Sequence, residues 1–313
     1  MASGERGIEK ILVIKLGALG DFVQAMGPAA AIRAHHGDAE IVLLTTAPFV
    51  ELARASPYFD HIWVDARPPL WDVAALWRLR RRLREGGFTR VYDLQTAQRT
   101  NWYFQLMGPG RRPRWSGIAR GAADPHANPA RDRMHTLDRQ AEQLRMAGIA
   151  AVPLPDLSWA KRDFARFTLP RRFVLLVPGG AAHRPAKRWP VDHYAALAQR
   201  LAAHDIAPVI VGGKDETNLG AAIKEVCAAA HDLTGQTSLG EIVGLGAAAA
   251  HTVGNDTGPM HLVVAAGSPA TVLYSAVSDP VLTQPRGPGV MVLRRPDLAT
   301  LSVDEVEATM GLG

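Results

Sequence analysis

Short runs of β-branched residues and leucine alternate with longer amphipathic or alanine-rich stretches along this chain, and the alternation occurs twice. βαβ units leave this mark, because a parallel strand covered on both faces needs a continuous apolar run and its crossover needs a helix. In the first half, 11–16 (ILVIKL), 41–46 (IVLLTT), 61–64 (HIWV) and 90–94 (RVYDL) read as strands. A helix fits from about Asp21 to His35, and a second carries Val73, Leu76, Leu79 and Leu83 as an apolar stripe. The Gly-, Pro- and Arg-rich stretch 108–133 reads as long loops. In the second half, 173–178, 208–213, 251–255 and 270–275 read as strands, with helices at 190–203, 216–230, 238–250 and 258–266. The Pro-punctuated segment 152–170 separates the two series and is the expected linker. The expected fold class is α/β, with two Rossmann-like domains of mostly parallel sheet at 1–165 and 166–313. Ligands of such sheets bind beyond the carboxyl ends of the strands, so a cleft between the halves is the expected site.

Composition agrees with this picture and removes several others. At 313 residues, with 47% hydrophobic and 21% charged, the chain suits two globular domains rather than a disordered or fibrous protein. One cysteine, Cys227, excludes a disulfide framework and a Cys-based metal site, and it reads as a small buried apolar residue in a helix. No apolar run nears the ~18–20 residues of a membrane span. The opening MASGERGIEK has no apolar core of a signal peptide, so the expected location is the cytoplasm. Charge is uneven: residues 1–165 carry 23 Lys+Arg against 17 Asp+Glu, and residues 166–313 carry 12 against 13. Arg78, Arg80, Arg81, Arg82 and Arg84 form the densest basic stretch. It reads either as a solvated helix face or as attraction to an anionic partner such as phosphate or an acidic lipid surface. Nucleic acid is not expected, since no recognised module or aromatic platform accompanies the arginines.

Four stretches can carry chemistry. The first strand runs into Gly17-Ala18-Leu19-Gly20 and then Asp21. Glycines allow a sharp turn close to a ligand, and Asp21 is either a helix N-cap or a carboxylate aimed at the site. Next, Pro178-Gly179-Gly180 ends a strand and leads to His183, Arg184, Lys187 and Arg188 before Trp189-Pro190 opens a helix. Cations at a strand's carboxyl end suit a diphosphate, and Lys187 is the compact point charge among them. The third stretch, Asn255-Asp256-Thr257-Gly258-Pro259, enters a helix whose free amides suit an anion. His261, on the first turn, is either a phosphate or ribose contact or a satisfied core histidine. In the fourth, Glu216 follows a strand and two glycines, where a carboxylate can take ribose hydroxyls or simply face solvent.

Absences narrow the chemistry further. There is no Walker loop and no GxGxxG fingerprint, which argues against a nicotinamide oxidoreductase. No Gly-x-Ser-x-Gly elbow supplies a hydrolase nucleophile. No Asp-x-Asp or zinc-spaced cluster implies a chelated metal, so no metal is expected. His35-His36 reads as an isolated, solvent-exposed pair at a helix end.

Together, LGALGD after the first strand, PGG with K-R-W-P in the middle and GNDTGPMHLVVAAG near the end resemble glycosyltransferase family 9, the ADP-heptose:lipopolysaccharide heptosyltransferases. The resemblance implies the GT-B fold, with acceptor on the N-terminal domain, a nucleotide-sugar donor on the C-terminal one, and a final helix (about Val303–Met310) packing back on the first. It implies an inverting, metal-independent transfer of heptose from ADP-heptose to a sugar hydroxyl of the lipopolysaccharide inner core. It makes Asp21 the general base, with Lys15 and Gly20 beside it at the acceptor, and Lys187 the contact to donor phosphates. Gly179, Gly180, Glu216, Asp256, Thr257, Gly258 and His261 complete the donor site. Where some relatives carry hydroxyls after the middle strand, this chain has Gly179, Gly180, Ala181 and Ala182, so phosphate contacts there fall to backbone amides. The Arg-rich loop from Arg111 to Arg133 has no counterpart. The resemblance implies an anionic lipid-linked saccharide as acceptor, and any contact with the inner membrane is expected to be peripheral, through the basic half and exposed Trp71 or Trp77. Two rivals keep the fold: a transferase with another nucleotide-hexose donor, and a non-catalytic sugar-nucleotide-binding protein.

Overall fold

The chain folds into two α/β units, Met1–Pro155 and Asp156–Gly313, each built on one six-stranded parallel sheet. A computed structural model describes residues 8–69, 71–108, 110, 112–181 and 183–311. Arg111, Ala182 and residues 1–7, on which some of the sequence expectations fall, lie outside the described residues.

Unit 1 runs β1 (Lys10–Ile14), α1 (Leu19–Gln24), α2 (Met26–His35), β2 (Glu40–Thr45), α3 (Val50–Ala55), β3 (His61–Val64), α4 (Val73–Glu85), β4 (Arg90–Asp93), α5 (Gln98–Met107), β5 (Arg114–Gly117), β6 (Asp124–Pro125) and α6 (Thr136–Met146). Its strand order is β3-β2-β1-β4-β5-β6. β1 is central, with Val13 opposite Leu43 on one side and Tyr92 on the other. All four residues Ile11–Ile14 are buried, as the unbroken apolar run required.

Unit 2 runs β7 (Phe173–Val177), α7 (Val191–Ala203), β8 (Ala207–Ile210), α8 (Thr217–Val226), β9 (His231–Asp232), α9 (Leu239–Ala248), β10 (His251–Asn255), α10 (Gly258–Ala265), β11 (Ala270–Tyr274), α11 (Pro280–Thr283), β12 (Val290–Arg294) and α12 (Val303–Ala308). Its order, β12-β11-β10-β7-β8-β9, repeats that of unit 1 when read from the other edge. Both are doubly wound sheets, and in each the strand order reverses beside the first strand: β1 next to β4, and β7 next to β10.

Several expectations change. The stretch 108–133 holds β5 and β6, which extend the sheet. β9 and β12 were likewise not foreseen; β6 and β9 span two residues each, too few to show a period. The expected helix from Asp21 to His35 is two, joined at Ala25, and it begins at Leu19. On α4, Leu83 is buried and Leu76 and Leu79 half-buried, whereas Val73 is exposed and leaves the stripe. His36 is not a surface residue: Nδ1 lies 2.8 Å from Glu9 Oε2 and Nε2 2.8 Å from Tyr92 Oη. Burial lowers its pKa despite the Glu9 carboxylate. Cys227 is buried as expected but sits just past the end of α8.

The units divide after Pro155, within the expected linker but ahead of the 165/166 boundary. Residues beyond the division already belong to unit 2: Leu157 N–H donates to the Ala265 carbonyl and Arg162 N–H to that of Gly240. The final helix, expected to pack back on the first half, is seated on α7 of its own unit. Val306 and Met310 enter the unit 2 core, and Arg200 pairs with Glu307 at 2.8 Å and with Asp304.

Candidate active site

In unit 2, β10, β7 and β8 lie side by side and parallel, so the loops leaving their carboxyl ends emerge together. Asn255 at the end of β10 organises them. It is fully buried, and its amide is used on both sides. Oδ1 accepts from the Trp189 N–H (2.9 Å) and the Tyr194 hydroxyl (3.2 Å). Nδ2 donates to the carbonyls of Pro178 (2.9 Å) and Gly179 (3.0 Å). Through one side chain, β10 fixes both the glycine turn after β7 and the start of α7.

Lys187 closes a short 3-10 turn, Pro185–Lys187, in the same loop. Its Nζ lies 2.5 Å from Asp256 Oδ2, and both side chains are largely covered, at 13% and 10% exposure. A charge-assisted bond of this kind gives a flexible ammonium a fixed address. Arg188 reaches back to the Gly180 carbonyl at 2.5 Å. His183 and Arg184 are exposed, so Lys187 and Arg188 are the half-buried cations of the four.

Glu216 takes a role that differs from a free ribose carboxylate. Oε1 accepts the Gly180 N–H and Oε2 the Gly213 N–H, each at 2.8 Å, which clamps the loop after β7 to the loop after β8. A Cβ at Gly179 would fall 2.0 Å from Glu216 Oε1, so any other residue there would displace the Glu216 carboxylate from this clamp. The Gly180 amide, expected to face a phosphate, is therefore engaged by Glu216.

After Asn255, Asp256 N–H donates to the Leu273 carbonyl (3.1 Å), and Thr257 is the N-cap of α10 in extended conformation, without a side-chain cap bond. Gly258 and Pro259 open the helix, as expected of a Pro near the first turn. The first-turn amides of a helix have no intrahelical acceptor, and they attract anions. His261 on this turn is 7% exposed, so it lies beneath the helix start.

In unit 1 the loop after β1 turns at Gly17 (φ +114°), where a Cβ would strike the Phe49 ring at 2.6 Å. The N-cap of α1 is Ala18, not Asp21. Asp21 sits one residue after Gly20 on the first turn, and its charge acts on the buried Lys15 ammonium. Lys15, just ahead on the chain, is buried, and its Nζ donates to the Leu94 carbonyl at 3.1 Å. Burial lowers its pKa; the charges of Asp21 and Asp93 act in the opposite sense, and Arg139 and Arg131 act with burial. The Leu16 amide donates to Gln95 Oε1 (2.9 Å), which ties β1's loop to that of β4.

Asp93, at the end of β4, was not foreseen as part of this group. Burial pushes its carboxyl up to about 6, against the Gln95 and Thr96 amides that donate to Oδ1. Oδ2 has no partner. The signal was a carboxylate, Asp93, directly after the apolar pair Val91-Tyr92 in the run RVYDL. Asn255 was also missed, although it stood inside the GNDTG stretch, because only packing shows its four bonds. Arg131 and Arg139 give the Arg-rich loop and α6 a place near Lys15.

Each unit thus gathers one group at the carboxyl ends of its central strands. Lys187, Asp256, Gly179, Gly180, Glu216 and the start of α10 belong to unit 2, and Lys15, Gly20 and Asp21 to unit 1. Among the described residues no group of three or more His, Cys, Asp or Glu side chains is arranged to share a metal ion. No described helix is long and apolar enough to cross a membrane.

Known proteins resemble this chain over most of its length. The profile of glycosyltransferase family 9 (heptosyltransferase) matches residues 76–309. Lipopolysaccharide heptosyltransferase 2 of Escherichia coli is 28% identical over 307 residues, covering 91% of this chain and 88% of that protein. Lipooligosaccharide heptosyltransferase 2 of Haemophilus influenzae is 35% identical over 123 residues, 37% of this chain and 34% of that protein. The solved structure of E. coli ADP-heptose lipopolysaccharide heptosyltransferase II shares the fold, with a TM-score of 0.77 at 24% identity over 96% of this chain and 98% of that one. With its paired doubly wound sheets of the GT-B class, the chain belongs to glycosyltransferase family 9, the heptosyltransferases, and is a glycosyltransferase.

Proposed function

We propose that the protein transfers a heptose from ADP-heptose to a sugar hydroxyl of the lipopolysaccharide inner core, with inversion and without a metal. The observation that carries this reading is the Lys187–Asp256 pair, where a held ammonium meets the start of α10 at the ends of β7 and β10. In the reading, unit 2 takes the donor and unit 1 the acceptor. The diphosphate lies between Lys187 and the Thr257–Gly258 amides, and Glu216 holds the glycine loops beneath it while keeping oxygen lone pairs for the ribose.

Asp21 accepts the proton of the acceptor hydroxyl as that oxygen attacks the anomeric carbon. The new C–O bond forms as the bond from that carbon to the donor phosphate oxygen breaks, and the electron pair leaves with ADP. Charge grows on the departing diphosphate, and Lys187 and the helix amides are fixed before it arrives, so they need no reorganisation. The excess of basic residues in unit 1 suits an anionic lipid-linked acceptor, worked on at the cytoplasmic face of the inner membrane.

A thermal-shift series with ADP, UDP and GDP tests the donor. The reading expects ADP to raise the melting temperature most, and Lys187→Ala to abolish the difference. Equal or greater stabilisation by UDP or GDP would replace the adenine donor with another nucleotide sugar.

A further inference from the structure

The helix pair α4–α5 carries a surface that neither the donor site nor Asp21 uses. Trp71, Trp77 and Trp102 are 85%, 55% and 50% exposed, and Val73 lies open beside them. Val73 and Trp77 are four residues apart on α4 and so share one face. Between the helices runs an apolar groove of about 540 Å³, lined by Leu76 of α4 and by Gln98, Arg99, Trp102, Tyr103 and Leu106 of α5. The cations at this surface are unevenly engaged. Arg99 donates to the Pro68 carbonyl and Arg80 to that of Leu106, whereas Arg78 stays exposed. Arg81 stacks 5.2 Å from the Trp77 ring and keeps only a loose contact, 3.8 Å, with Glu85.

Exposed indoles are costly in water, and they are most at home where an apolar layer meets a polar one. Arginines next to them, on a helix that cannot span a membrane, match the requirements of an anionic bilayer surface. A protein partner of acidic charge would satisfy Arg78 and Arg81 but leaves no reason for three exposed tryptophans, one of which, Trp102, lines an open apolar groove. We infer that the α4–α5 face, through Trp71, Trp77, Trp102, Arg78 and Arg81, docks on a membrane surface containing anionic phospholipid. This deepens the reading of a lipid-linked acceptor by naming the surface. Its test uses neither donor nor acceptor, so either claim can fail alone.

The test is sedimentation of the full chain with vesicles of phosphatidylcholine alone or of equimolar phosphatidylcholine and phosphatidylglycerol, with tryptophan emission recorded. The expected result is binding to the anionic vesicles only, weakened by salt, with a blue shift of emission. Arg78→Gln and Arg81→Gln should each weaken binding about fivefold, the value of about 1 kcal/mol per surface cation. Trp77→Ala should reduce the blue shift and weaken vesicle binding while the circular dichroism and the melting temperature of the free protein stay unchanged. Absence of binding, equal binding to both vesicle types, or binding indifferent to these substitutions would overturn the inference. So would a dimer in sedimentation velocity that Trp77→Ala dissolves, since the face would then belong to a second copy of the chain.

Discussion

The Lys187 ammonium stands 2.5 Å from the Asp256 carboxylate, joining the loop after β7 to the loop after β10. Each side chain keeps about a tenth of its surface exposed (13% and 10%), so an incoming diphosphate can reach an ammonium that Asp256 already holds in place. Lys187→Ala should therefore lower kcat/KM by about two orders of magnitude, the scale of one pre-placed donor to a growing negative charge. Lys187→Arg should recover little, because a planar fork does not replace a point charge gripped by one carboxylate. Steady-state kinetics on the two variants checks this.

Asp21 is kept off the helix cap, which Ala18 occupies, so its carboxylate is not spent on local structure. Asp21→Asn should cut kcat about a hundredfold or more while the ADP-induced thermal shift stays as in the wild type. A base acting on the acceptor predicts this split between turnover and donor binding.

Asn255 should matter for both stability and binding. Asn255→Ala leaves the Trp189 amide and the Pro178 and Gly179 carbonyls without partners in a buried place, at about 1–3 kcal/mol each. The expected outcome is a melting temperature lowered by about 5 °C or more, together with weaker ADP binding, since the glycine turn and Lys187's loop lose their anchor. Calorimetry with and without ADP separates the two effects.

Asp93 gives the fold a measurable pH response. Its ordinary carboxyl value of 3.8 holds in the unfolded chain, whereas the folded value is about 6. The folded protein thus holds this proton more tightly, and Asp93 detracts from stability increasingly as the pH rises from about 4 to about 6, then by a constant amount. Asp93→Asn keeps an oxygen for the Gln95 and Thr96 amides and removes the buried charge. Its stability relative to the wild type should climb across that window and level off above it, by up to about 3 kcal/mol. Urea denaturation at several pH values reads this directly.

Much of this arrangement was legible in the residue order. Strands such as Ile11–Ile14 and Phe173–Val177 are buried on both faces, and sequence marks them as continuous apolar runs. β5 and β6 were not legible, because Arg114 and Asp124 pair with each other at a sheet edge and break the apolar pattern. The glycine turns, Lys187 and the Asp256–Pro259 stretch announced themselves as loops at strand ends. What Glu216 and Asn255 do was hidden, since both act through bonds to segments far along the chain. The opposite outcome holds for His36, whose partners Glu9 and Tyr92 are remote in sequence and draw it inside.

The most direct measurement is ADP release from ADP-heptose, followed with and without a lipid-linked inner-core acceptor. Release that depends on the acceptor in the wild type, and that Asp21→Asn and Lys187→Ala each suppress about a hundredfold, is the predicted result. Release at the same rate without acceptor, or undiminished in either variant, would contradict a transfer run by these two residues.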